Sequence, residues 1–194
     1  MLKWLLHIDR ELFFQINECS QNPFFDWLMP IMRDKTTWYP LYLILIGILI
    51  YKYKWKSVYV IALAALTVVI ADQISAGIIK PYFERIRPCN DPCIGHLVNN
   101  PVGCGRGYSF VSAHATNHFA IAMFFISVFL KRSNRFFVPP VFLLWAGIIS
   151  FAQVYVGVHY PSDVIVGSFI GILIGYLMGK LNTYILCMRC DKKI

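Results

Sequence analysis

Charged side chains are scarce in this chain of 194 residues: Asp, Glu, Lys and Arg make up only 14% of it. An ordinary soluble domain carries roughly 25%. A chain so poor in charge, with 58% hydrophobic residues and a mean hydropathy of +0.58, is neither a disordered segment nor an ordinary soluble enzyme, and its length excludes a disulfide-stapled miniprotein. It has no basic low-complexity tail and no nucleic-acid-binding motif. The net charge of +8 therefore points to membrane orientation and lipid headgroups rather than to DNA or RNA. The first thirty-five residues do not read as a signal peptide: Asp9, Arg10 and Glu11 break what would be its apolar stretch, and no small-residue cleavage site follows. No internal repeat and no second domain is visible, so residues 1–194 read as one membrane domain.

What the chain does have is long apolar runs. A bilayer-crossing helix needs about 17–25 apolar residues. Thr36–Tyr51, Ser57–Ile79, Phe110–Leu130, Phe136–Val158 and Val164–Gly179 meet or approach that length. The expected fold is all-α: a polytopic helical bundle of about five transmembrane helices. Leu2, Leu5, Leu6, Leu12, Phe13 and Ile16 repeat at helical spacing opposite Lys3, His7, Arg10 and Glu18, so residues 1–35 form an interfacial N-terminal segment. Aromatic residues bracket the spans, Trp38 and Tyr39 on one side and Tyr51, Tyr53 and Trp55 on the other, as interface belts do. In the last span Gly167, Gly171, Gly175 and Gly179 recur every fourth residue, a stripe that lets another helix approach closely.

Lys and Arg set the orientation. Lys52, Lys54, Lys56, Lys131, Arg132, Arg135, Lys180, Arg189, Lys192 and Lys193 share one side. Lys3, Arg10, Arg33, Lys35, Lys80, Arg85, Arg87 and Arg106 share the other, accompanied by several acids. The first side reads as cytoplasmic, with the N-terminus outside and the C-terminus inside.

Polar groups at a bilayer are costly, and by default they mark function. Here they gather at the exit of the second span (Lys80–Pro88), the entry to the third (Tyr108–His118) and the turn between the fourth and fifth (Gln153–Asp163). Parity places all three on one membrane face, where residues 80–111 form an extracytoplasmic loop. Lys80 and Arg87 are seven residues apart, about two helical turns, and both can point one way. Paired cations suit a phosphate. Ser112 and His114 open a helix whose N-terminal N–H groups favour an anion. His159 and Asp163 are four apart across Pro161, as in the first turn of a helix. A carboxylate there holds one imidazole nitrogen protonated and leaves the other free to attack.

Lys–six residues–Arg-Pro (Lys80, Arg87, Pro88), Ser-x-His (Ser112, His114) and His–three residues–Asp (His159, Asp163), in that order, resemble the type 2 phosphatidic acid phosphatases. These are integral membrane lipid phosphatases related to glucose-6-phosphatase and the vanadium haloperoxidases. The Asn22–Asp26 segment fits as well. The resemblance implies that His159 attacks phosphorus to give a phosphohistidine, that Asp163 orients His159, and that His114 protonates the leaving oxygen. It also implies that Lys80, Arg87, Ser112 and the backbone at Ala113 bind the phosphate, with no metal and no cofactor. Two positions depart from the family pattern. Ala113 stands where glycine is usual. Gln153 stands where the third motif usually has arginine, so one phosphate-binding cation is missing, and Arg106 on the loop is the expected substitute.

The expected substrate is a membrane lipid phosphate, undecaprenyl diphosphate first and lipid A phosphate next, with phosphatidylglycerol phosphate also within the family's range. The expected setting is a bacterial inner membrane with the site facing the periplasm. A catalytically impaired lipid-phosphate binder is the alternative reading, and a transporter a third, for which no broken helices in matching halves speak. Asp72, inside the second span about 12 Å from Lys80 along a helix axis, reads either as a buried carboxylate supporting the site or as a packing residue. Histidines 114 and 118 have metal-ligand spacing but no third ligand nearby. Cys19, Cys89, Cys93 and Cys104 share the outward face, where a disulfide involving Cys104 is expected. Cys187 and Cys190 form a C-x-x-C on the other side.

Overall fold

A computed structural model describes residues 2–130 and 136–191. The basic residues Lys131, Arg132, Arg135, Lys192 and Lys193, read above as cytoplasmic, lie outside the described residues. Among those described there is no strand. Eight α-helices follow in order: α1 Leu2–Asn17, α2 Pro23–Arg33, α3 Tyr39–Tyr53, α4 Ser57–Asp72, α5 Lys80–Phe83, α6 Ala113–Phe129, α7 Val138–Tyr155 and α8 Pro161–Asp191.

The N-terminal segment is two helices rather than one. The first run ends at Asn17, and a second helix begins anew: the Asn22 side chain accepts from the Phe25 amide (3.0 Å) and Pro23 occupies the first helical position, which together start α2. Only one face of α1 is inward, where Asp9, Phe13 and Asn17 are buried. Trp4, Leu5, Leu6 and Leu12 stay exposed, an apolar face suited to the membrane interface.

Helices α3 and α4 pack side by side, joined at Lys54, whose φ of 48° reverses the chain. Helix α6 is the hub and contacts α4, α7 and α8. Phe124, Phe125, Ile126, Val128 and Phe129 are buried on it, as expected of a helix apolar on every face. Its tightest partner is α8. A Cβ added at Gly171 or Gly175 would collide with the carbonyl oxygens of Thr116 and Ala120, and one at Gly167 would lie 2.9 Å from the Ser112 oxygen. The glycine stripe is therefore the surface on which α8 meets the backbone of α6. Leu43, Ile44, Ile50, Val58, Val69, Phe169, Leu173 and Leu177 are exposed on α3, α4 and α8. Outward apolar faces of this extent belong to an integral membrane protein.

One expectation is corrected in the first polar cluster. Lys80 and Arg87 do not share a helix. Helix α4 runs into a π-helical segment, Gln73–Ile79, and then α5, which stops where Glu84 turns left-handed (φ 47°). Arg87 follows in extended backbone (φ −70°, ψ 150°), as a residue before proline prefers. The two cations come together through the loop, not through helical periodicity.

Candidate active site

Helix α7 ends in a tight reversal. The amides of Val158 and His159 both donate to the Gln153 carbonyl at 3.2 Å, and Gly157 adopts a φ of +78°. Glycine is required there twice over, because a Cβ at that point would also lie 2.8 Å from the Asn99 carbonyl. Asn17 of α1 locks the reversal by donating to the carbonyls of Tyr155 (2.7 Å) and Asn99 (2.8 Å). His159 and Asp163 thus sit on either side of the α8 start, both buried.

The carboxylate of Asp163 is fully engaged. One oxygen accepts from the Ser109 hydroxyl and from the Tyr160 amide (2.9 Å), and it lies 3.5 Å from His159 Nδ1. Ser109 Oγ is itself 3.3 Å from that nitrogen. The other oxygen accepts from Arg85 at 2.6 Å. Arg85 reaches on to Asp9 of α1 at 2.6 Å, and Asp9 accepts from the amide (2.8 Å) and hydroxyl (2.5 Å) of Ser162. The Arg85 guanidinium also lies 4.0 Å from the centre of the Tyr160 ring, a cation–π distance. With Nδ1 turned to Asp163, Nε2 is the ring nitrogen left for a ligand.

His159 is held down to about 4, mainly by burial, with Lys80 and Arg87 acting in the same direction against Asp163. The imidazole is neutral near pH 7, the form in which a ring nitrogen keeps a free lone pair.

Ser112 caps α6: its hydroxyl accepts from the Ala115 amide (3.5 Å) and its carbonyl from the Thr116 amide (3.0 Å). The first-turn amides of Ala113 and His114 have no partner within the helix, and such amides favour an anion. The Ser112 amide donates to the Asp163 carbonyl (3.0 Å), which fixes the start of α6 against the start of α8. His114 lies within electrostatic reach of Arg33, His159 and Lys80. Lys80 Nζ donates to the Tyr108 carbonyl (2.9 Å), and Arg87 donates to the carbonyls of Cys104 (3.0 Å), Gly107 (3.2 Å) and Arg106 (3.3 Å). Cys89 and Cys104 are disulfide-bonded and close the loop that Arg87 grips.

The structure thus gathers Lys80, Arg87, Ser112, Ala113, His114, His159 and Asp163 at one end of the bundle. It does not gather all the others. Arg106 contributes its carbonyl while its side chain is exposed. Gln153 is fully buried; its amide nitrogen is 3.5 Å from the Ile149 carbonyl, and its side-chain oxygen has no partner. His118 packs its ring parallel to His114 (9° between planes) and edge-on to Trp145, and Asp72 accepts from Asn117 (3.0 Å). Among the described residues no three His, Cys, Asp or Glu side chains converge as metal ligands would. Cys187 is free and exposed.

Sequence reasoning missed Asp9, Arg85 and Ser109, which hold Asp163 in place. Asp9 had a signal, since it heads the four-spaced row Asp9, Phe13 and Asn17. A groove of about 530 Å³ opens from His114 along α3, α4 and α6, lined by apolar residues such as Leu45, Leu49, Val68, Ile121 and Phe125.

Comparison with known proteins agrees with this geometry. The family model described as the PAP2 superfamily matches residues 58–186. A protein named lipid A 4'-phosphatase from Bacteroides thetaiotaomicron is 36% identical over 181 residues, 91% of this chain and 78% of that protein. Another of the same name from Porphyromonas gingivalis is 30% identical, over 94% of this chain and 76% of its own length. The crystal structure of a transmembrane PAP2 type phosphatidylglycerolphosphate phosphatase from Bacillus subtilis has the same fold, with a TM-score of 0.70 over 93% of this chain and 87% of that one at 19% identity. That of Aquifex aeolicus LpxE gives 0.64 at 25% identity, over 89% of this chain and 95% of the other. A helix-start histidine pair, an oriented carboxylate and a family match over most of the length converge: the chain belongs to the PAP2 superfamily and is a phosphoric ester hydrolase.

Proposed function

We propose that this protein removes phosphate from a membrane lipid at the extracytoplasmic face of a bacterial inner membrane, through a phosphohistidine formed on His159. The observation that carries the reading is the pairing of His159 Nδ1 with a buried Asp163. That carboxylate is held by Ser109, the Tyr160 amide and Arg85. Lys80, Arg87, the Ser112 hydroxyl and the free amides of α6 hold the phosphate. Nε2 of His159 bonds to phosphorus as the ester P–O bond breaks, and His114 passes its proton to the departing lipid oxygen. Water then attacks the phosphohistidine, with His114 taking the proton, and releases inorganic phosphate and free His159.

The apolar groove leading from His114 suits the acyl chain of a lipid whose phosphate sits at headgroup level. The two relatives aligned over nine-tenths of the chain are both named lipid A 4'-phosphatase, which favours lipid A phosphate over undecaprenyl diphosphate. About five membrane crossings would put Lys80, Ser112 and His159 on one face.

The test is phosphate release by purified protein in detergent, with EDTA present, from lipid A, undecaprenyl diphosphate and phosphatidylglycerol phosphate. Release that survives EDTA, is greatest with lipid A and disappears in His159→Ala is the expected result. A folded protein that releases phosphate from none of them would instead be a lipid-phosphate binder.

A further inference from the structure

A cation near the site has a buried guanidinium nitrogen that no protein group satisfies. Arg33 ends α2, and its Nε is buried without a hydrogen-bond partner. Most buried guanidinium N–H groups are satisfied, because an unpaired one near a charge is costly. Met29, one turn earlier on α2, is buried in a cluster with Ala152, Tyr155, Val156 and Val158 of the α7 terminus, and Met32, Cys89 and Val102 pack against that cluster. The Tyr155 hydroxyl donates to Asp26 of α2 (2.5 Å), and Trp38 Nε1 donates to the Met32 carbonyl (2.9 Å). These contacts fix the end of α2 against the helix end that carries Gln153 and the loop that carries Arg87.

The charges of Arg87 and Arg33 act on one another, and that of Arg33 acts on His114. Burial and the neighbouring Arg87 both push the Arg33 guanidinium down from its ordinary value, against the adjacent Asp34. Asp163, a carboxylate that faces the site, already accepts from Arg85. Three cations therefore act on the histidines, Arg33 and Lys80 on His114 and Lys80 and Arg87 on His159; Asp34 beside Arg33, and Asp72 and Asp163 toward Lys80, offset them only in part, and Gln153 adds no charge.

We infer that Arg33 is a phosphate-binding residue, supplying from α2 the third cation that the α7 position occupied by Gln153 does not. This rests on the phosphatase reading above and assigns a ligand contact within it. The ligand chemistry is a tetrahedral phosphate, bound by one guanidinium fork from the N-terminal segment and one from the disulfide-closed loop.

The experiment is equilibrium binding of inorganic phosphate to the full-length protein in detergent, read independently of turnover. Arg33→Met is expected to raise the phosphate Kd about 10- to 100-fold, the equivalent of one lost charge-assisted hydrogen bond. Arg33→Lys keeps the charge and recovers part of that loss, which separates ligand contact from a folding defect. Moving the charge back, in Arg33→Met combined with Gln153→Arg, restores binding, whereas Gln153→Arg alone brings like charges together and does not improve it.

A Kd raised by less than about fivefold in Arg33→Met, set against that one-bond expectation, overturns the inference. So does a loss that neither Arg33→Lys nor the relocated arginine relieves, and so does a loss found in Arg106→Ala but not in Arg33→Met. If the wild type binds phosphate through Arg33 yet hydrolyses no lipid phosphate, the inference stands and the phosphatase reading fails.

Discussion

Replacing Arg85 by alanine leaves two carboxylates facing each other with no cation between them. The Asp163 side chain is fully buried, that of Asp9 is 8% exposed, and Arg85 is 2.6 Å from each. Removing one partner of a buried ion pair costs about 3–5 kcal/mol, because the remaining charge stays out of water. Loss of the cation–π contact with Tyr160 adds about 1 kcal/mol. Protonation of one carboxylate or entry of water relieves part of the total, so a net destabilisation of about 4 kcal/mol is expected. For a chain of this size that lowers Tm by roughly 8–16 °C. The assay is thermal unfolding in detergent at fixed scan rate, with Asp9→Ala and the double variant alongside. In the Arg85→Ala background Asp9 is an unpaired acid, so removing it as well costs less than the two separate effects added together, by about 1–3 kcal/mol. A Tm drop of under about 3 °C, roughly 1 kcal/mol, or strict additivity, would refute the picture of one guanidinium shared between α1 and α8.

Four further outcomes follow from the same geometry. Gly175→Val drives a side chain into the Ala120 carbonyl and should abolish folded protein on size exclusion, whereas Gly147→Ala, with nothing within 4 Å of the added Cβ, should leave Tm unchanged; equal behaviour would mean α6 and α8 are not in backbone contact. Because His159 is lowered from 6.5 to about 4, its neutral form persists on acidification, and kcat/KM should show no acid limb near pH 6.5; a limb there that vanishes in Asp163→Asn would show an imidazole exposed to water. The same lowering removes stability as pH falls from 6.5 to about 4, since the unfolded histidine takes up its proton first. Reducing the Cys89–Cys104 bond frees a 15-residue separation; it should cost about 3 kcal/mol and raise KM several-fold through Arg87, and unchanged kinetics after thiol counting confirms full reduction would dissociate the loop from phosphate binding.

The helical class, the apolar runs and the glycine stripe were legible because they are periodic, and period follows from local chain geometry. The ordered pairs Ser112–His114 and His159–Asp163 were legible because each falls within one helical turn. Other features were not, for a different reason. Arg85 and Arg87 are two residues apart in an extended segment, yet one turns to Asp163 and the other to the Cys104 carbonyl; only the fold decides which way each faces. Asp9 reads as a surface charge until α1 is docked and Ser162 is beside it. The helical spacing of Lys80 and Arg87 predicted their meeting for the wrong reason, because the left-handed turn at Glu84 lies between them. Arg33 is 120 positions before Gln153, and no spacing rule links them.

The shared guanidinium also sets an order of events during synthesis. Asp9 is made 76 residues before Arg85, and Arg85 another 78 before Asp163. At about 5–20 residues per second, each gap lasts several seconds. Until Arg85 emerges, α1 carries an acid without its cation and stays at the hydrated interface. Until α8 is threaded in, Arg85 has only Asp9. Asp163 arrives with α8, against a charge pair already waiting for it, so the contacts that hold His159 and Asp163 together close only after α8 is made.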